Sequence, residues 1–126
     1  MDDTKIYAVD FDGTLCENKW PEIGEPKWAV IRFCIMAKEK GHKLILWTCR
    51  NSEQVEKAVK WCKEKGLYFD AVNSNIPAEV EKWNNDPRKV GATWFIDDRN
   101  ITLDEIEKCM EELDAKQEEV LSTFAT

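Results

Sequence analysis

The sequence predicts a three-layer α/β sandwich, a mainly parallel sheet with helices on both faces. Three observations carry that expectation. Short apolar runs end in polar, turn-forming residues; stretches of helical periodicity separate them; and glycine or proline punctuates most of the boundaries. The chain has 126 residues, enough for one domain with a real core. No repeat, low-complexity stretch or linker divides it, so residues 1–126 read as a single unit.

The first strand is expected at 6–9, where Ile6, Tyr7, Ala8 and Val9 run into Asp10, Phe11, Asp12, Gly13 and Thr14. Residues 16–25 carry Pro21, Gly24 and several charges, and read as a loop or small hairpin flap. Pro26 suits a first helical position, so a helix is expected over 26–40 with Gly41 as its stop. Its middle is apolar on nearly every face, which calls for burial on more than one side. Either a second covering layer or a homo-oligomer contact through helix 26–40 would provide it. A second strand is expected at 43–47, then a helix capped by Asn51 or Ser52 and closed by Gly66. A third strand is placed at 68–72. Residues 73–88 are turn-rich, with one helical turn around 78–83, and a fourth strand is placed at 93–96. Thr102 and Glu105 form a capping-box signal. The helix behind it carries Leu103, Ile106, Met110 and Leu113 on one stripe, and its acidic end, 119–126, is expected to fray.

Composition narrows the function classes. The net charge is −7, from 18 basic and 25 acidic residues. Non-specific nucleic-acid or anionic-membrane binding runs on clustered Lys and Arg, so both are disfavoured. No apolar run approaches membrane-spanning length, and the N-terminus has no apolar signal core. The five cysteines are odd in number and widely spaced, which fits free thiols in a reducing cytoplasm. Cys49 lies inside the candidate site, but the single histidine, His42, stands at the far end of the same strand. A nucleophilic role for Cys49 is therefore disfavoured.

In a parallel α/β sheet, ligands gather outside the carboxyl ends of the strands. Asp10 and Asp12 end the first strand, Thr48 the second, and Asp97 with Asp98 the fourth. The sheet would bring them to one edge. Carboxylates so crowded repel unless a cation sits among them, and a hard all-oxygen site suits Mg²⁺. Magnesium commonly joins one or two carboxylates to a substrate phosphate, so a phosphate monoester is the natural ligand. One aspartate can attack phosphorus while its neighbour transfers protons. Thr48 can offer its hydroxyl and backbone N–H to a phosphoryl oxygen, and a lysine is wanted to neutralise the others.

Asp10-Phe11-Asp12-Gly13-Thr14, then Thr48 after an apolar strand, then Lys89 eight positions ahead of Asp97-Asp98, resembles the four-motif signature of the haloacid dehalogenase (HAD) superfamily. The likeness spans roughly 5–100 and is strongest to the small capless phosphatases. It implies a Rossmann-like fold without a cap domain and a Mg²⁺-dependent phosphomonoesterase. Asp10 would be nucleophile and metal ligand. Asp12 would be general acid/base and lend its backbone carbonyl to the metal. Thr48 would hold the phosphoryl group, and Asp97 and Asp98 would complete the metal site. The phosphate-binding lysine would be Lys89, with Lys82 as fallback. Arg50, Gly13 and Thr14 are the expected substrate-binding residues, although a surface salt bridge explains Arg50 equally well.

Other residues favour plainer roles. Arg99 is expected to pair with acids, Asn73 and Asn75 to cap turns, and the tryptophans to anchor core or loops; Trp20, in the flap, is the one worth testing as a substrate platform. Both gaps that hold caps in larger HAD members are too short here. The site would then be covered by a large substrate, a neighbouring subunit or the flap. Rival readings are a phosphotransferase or phosphonatase on the same scaffold, a receiver-like signalling domain, and a silent binding domain. A dehalogenase would not need Mg²⁺. In receivers the phosphorylated aspartate ends a middle strand, the place held here by Thr48.

Overall fold

The structure is a computed structural model that describes residues 3–124, with side chains as far as residue 117. Strands β1 (Ile6–Val9), β4 (Lys43–Leu46), β5 (Ala71–Val72) and β6 (Trp94–Ile96) form one sheet in the order β5-β4-β1-β6, and every pairing is parallel. Between β1 and β4 the chain makes an antiparallel hairpin, β2 (Cys16–Lys19) and β3 (Glu22–Pro26), and then helix α1 (Trp28–Glu39). Helices α2 (Ser52–Glu64), α3 (Pro77–Trp83) and α4 (Leu103–Phe124) complete the chain. The three-layer α/β expectation holds, and no cap is inserted among the described residues.

Side-chain alternation decides which residues meet which helix. Val9, Leu44 and Leu46 pack with Ile31, Cys34 and Ala37 of α1 and with Ala58 and Cys62 of α2. Ala8 and Ile45 point to the other face, where Ile76 and Val90 cover them. The chain steps outward from β1 to β4 to β5 on the α1/α2 face. It then returns across the other face to place β6 on the far side of β1. The crevice between the carboxyl ends of β1 and β6 is thus the topological switch point.

Several expectations need correcting. Pro26 does not open α1. It closes β3, opposite Cys16, and the helix starts two residues later, after Lys27 donates its N–H to Leu15. Neither Asn51 nor Ser52 caps α2 through its side chain, although Asn51 holds the N-cap position. Strand β5 is two residues long because the Asp70 side chain replaces backbone in the pairing: its Oδ2 accepts the Leu44 N–H at 2.8 Å. Helix α1 is buried on one side only, through Ile31, Cys34 and Ala37, and leaves Trp28, Phe33 and Met36 exposed. The stripe on α4 exists but is not buried against any described residue. Leu103, Ile106, Met110 and Leu113 are exposed, like every described side chain of that helix. Of the end expected to fray, 119–126, the backbone is assigned to α4 as far as Phe124, and residues 125–126 lie outside the described part. The capping box is present: Thr102 and Glu105 each accept the other's backbone N–H, at 3.1 and 3.2 Å.

Candidate functional site

The end of β1 is tied to both neighbouring strands. Asp10 donates its N–H to Ile96 on β6 at 3.0 Å, and Trp47 donates to Val9 at 2.8 Å. These bonds bring the residues that follow β1 and β6 together. One carboxylate oxygen each from Asp10, Asp97 and Asp98 lies within 4.8 Å of the others. Gly13 makes room for this cluster. Its φ is +90°, and a Cβ there would collide with the Asp98 carboxylate.

Burial, then the charge of Asp97 and to a smaller degree that of Asp98, push the Asp10 carboxyl up from 3.8 to about 6. A bond from the Phe11 backbone and one from the Thr14 hydroxyl, 3.2 Å from Oδ2, oppose the rise without cancelling it. A divalent cation would relieve this repulsion. The donor set is all oxygen, as a hard cation such as Mg²⁺ requires, and Asp10, Asp97 and Asp98 are the side chains that would hold it.

Asp12, two residues on, has opposite company. Arg50 Nε donates to its Oδ2 at 2.7 Å, and Nη2 to its Oδ1 at 2.8 Å. The other guanidinium protons go to the carbonyls of Pro21 and Glu22 in the hairpin and to Gln54 Oε1 on α2. All five donors of this side chain are used, and Arg50 is only 2% exposed. Phe11 and Trp20 lie against its plane, with ring centroids 5.1 and 4.8 Å from Cζ. Arg50 is therefore a buried brace joining Asp12, the flap and α2, with no group left for a substrate. Neither the substrate-binding role nor the surface salt bridge fits.

Gly13 and Thr14 also differ from expectation. Both are buried, the Gly13 N–H goes to Cys16 and its carbonyl accepts from Lys27 Nζ at 2.8 Å. The Thr14 hydroxyl is spent on Asp10. They shape the turn instead of presenting groups to a ligand. Thr48 keeps half of its expected role. Its N–H donates to Asn73 Oδ1 at 2.8 Å, while its hydroxyl accepts from the Arg50 N–H and keeps its own proton free to donate. Asn73, expected as a turn cap, sets this geometry. Asn75 is buried and grips the Gly91 N–H at 2.6 Å and the Pro87 carbonyl, fixing the loop that carries Lys89.

The carboxylates stand between two hollows. One, of about 420 Å³, is walled by Asp10, Asp12, Thr48, Trp20, Asn18 and Arg99. The other, of about 260 Å³, is lined by Asp10, Asp97, Trp47, Phe95 and Lys89. Lys89 thus reaches the edge where Asp10 stands. Lys82 lines a separate hollow with Thr4, Ile6 and Lys43, at the opposite end of the strands, with Nζ over the Trp83 ring. Cys49 is exposed at the rim of the larger hollow. His42 is far off, accepting the Lys5 N–H through Nδ1.

No family model matches the chain, and no curated protein does. A conserved protein of Bacteroides thetaiotaomicron with a solved structure is 38% identical over 79% of each chain, with a TM-score of 0.70. The chain belongs to the family of that protein. Over that length the two proteins share one α/β fold.

The brace was missed by sequence reasoning, and so was Lys27. Arg50 two positions after Thr48 was the available signal, but a sequence does not show that an arginine is roofed by a hairpin.

Proposed function

We propose that this protein is a HAD-type, Mg²⁺-dependent phosphomonoester hydrolase that works through an aspartyl-phosphate on Asp10. The observation that carries the reading is the approach of the Asp10, Asp97 and Asp98 carboxylates at the switch point of a parallel sheet, with Thr48 on the wall of the hollow that Asp10 and Asp97 line. When bound, Mg²⁺ would supply the positive charge that draws substrate phosphate toward these acids. The Asp10 oxygen attacks phosphorus, and the ester oxygen leaves with a proton from Asp12. Asp12 then takes a proton from water, and the resulting hydroxide releases phosphate from Asp10. Thr48 donates its hydroxyl to a phosphoryl oxygen, and Lys89 balances charge from the second hollow. The Arg50 brace fixes where Asp12 points. Carrying a proton requires Asp12 to give up one of its two bonds to Arg50, so the geometry suits its base step better than its acid step.

The test is phosphate release from an aryl phosphate in Mg²⁺. Loss of release with EDTA and in Asp10→Asn supports the reading; a metal-independent rate, or full activity in Asp10→Asn, would end it. All five cysteines are free thiols, which supports a reducing, cytoplasmic setting. No helix among the described residues is long and apolar enough to cross a membrane. The exposed Trp28, Phe33 and Met36 on α1 support a homo-oligomer contact there, to be tested by sedimentation of the wild type and Phe33→Glu.

A further inference from the structure

Within the phosphatase reading, on which this step rests, we propose that Trp20 is the specificity-determining platform and that the preferred substrate carries a planar ring. Trp20 stands at the turn of the hairpin, between the end of β2 and the start of β3. Its indole rests against the Arg50 guanidinium, 4.8 Å from centroid to Cζ. That guanidinium is fixed by five hydrogen bonds, two of them to the carbonyls of Pro21 and Glu22, the residues that follow Trp20 in the chain. The hairpin turn is therefore held to the same brace that orients Asp12, and it forms a standing wall of the site.

An anchoring role alone would bury the ring. Trp20 instead remains 56% exposed and faces the 420 Å³ hollow that Asp10, Asp12 and Thr48 also line. One ring face is occupied by the cation, and the exposed surface is left toward the place where a phosphate ester would lie. A large, rigid, amphipathic ring held still beside a reaction site favours a flat partner, because stacking then costs little side-chain entropy. Asn18 and Arg99 on the same wall offer hydrogen bonds to polar edges of such a ring, whereas an aliphatic ester gains nothing from the indole.

The experiment compares pairs of ligands on the wild type, Trp20→Ala and Trp20→Phe. With Mg²⁺ present, kcat and KM are measured for phenyl phosphate against glycerol phosphate, and for a nucleoside 5′-monophosphate against ribose 5-phosphate. Trp20→Ala is expected to lower the preference for the ring-bearing member about tenfold, chiefly through KM, and Trp20→Phe to keep most of it. Whichever pair shows the loss tells whether the ring sits on the ester oxygen or one sugar away. Equal losses on both members of each pair would reduce Trp20 to a structural part and overturn the proposal. Calorimetric titration with phenylphosphonate and methylphosphonate separates this from the phosphatase reading. If no ester is hydrolysed, that reading fails, yet a wild-type preference for the phenyl compound that Trp20→Ala loses still upholds the platform. Equal binding of the two phosphonates, or none, overturns it.

Discussion

Asp10 and Asp12 are two residues apart on one short stretch, yet the two sides of the site they face are built on opposite principles. On the β6 side, Asp10 meets Asp97 and Asp98, and burial, with the charges of these acids added to it, drives its carboxyl up to about 6. On the flap side, Asp12 meets a buried guanidinium whose every proton is used. The β6 side is left short of positive charge; the flap side carries its own. An added cation therefore belongs with Asp10, and rigidity belongs with Asp12.

The comparison breaks most severely at Asp10. Asp10→Asn should lower phosphate release by at least about a thousandfold, since it removes the attacking oxygen. Next is the flap side. Arg50→Ala leaves the Asp12 carboxylate and the Pro21 and Glu22 carbonyls without their donor. A loss of about 3–5 kcal/mol is expected, read as a fall of about 10–20 °C in Tm. Arg50→Lys should recover only part of it, because an ammonium cannot span the same five acceptors. A smaller loss, about ten- to a hundredfold in kcat/KM, is expected for Lys89→Ala; Lys82→Ala should stay near wild type, and the reverse result would displace Lys89. Gly13→Ala forces a strained φ and presses on Asp98, so a destabilisation of about 1–3 kcal/mol with weaker Mg²⁺ binding by calorimetry is expected.

The smallest effect is the pH dependence of the metal-free protein. Because the folded Asp10 carboxyl is raised from 3.8 to about 6, its ionisation works against the fold. Its stabilising contribution is complete below about pH 4 and is lost as pH rises through 6. In EDTA, the melting temperature of the wild type relative to Asp10→Asn should fall by a few degrees between pH 4.5 and 7.5. A flat difference would mean that neither burial nor the neighbouring acids raise the Asp10 carboxyl.

The strands and the strand-end acids were legible because both follow from short-range pattern: apolar runs, then paired carboxylates. Thr48 lines a hollow with Asp10 by the same strand-end logic, whereas Lys89, which lines the other hollow beside Asp10, was suggested by the family resemblance and by no local pattern. What pattern could not show was which polar groups consume one another. Arg50 looked free until the hairpin roofed it, and the Thr48 N–H looked available until Asn73 claimed it. Side-chain substitution for backbone was equally invisible: the Asp70 carboxylate holds both the Leu44 N–H and Lys38 Nζ at 2.8 Å, and it shortens β5. The α4 stripe is the reverse case, where a clear periodic signal leads to a helix whose described side chains are all exposed.

The sorting of the thiols provides a native labelling scheme. Burial pushes the Cys34 and Cys62 thiols up to about 12 and also raises that of Cys16, so these three resist alkylation at neutral pH. Cys49 and Cys109 are exposed, one at the mouth of the larger hollow and one on α4. A maleimide dye pair would therefore attach at two useful points without any engineered cysteine, and would report ligand entry and the placement of the last helix from the same molecule.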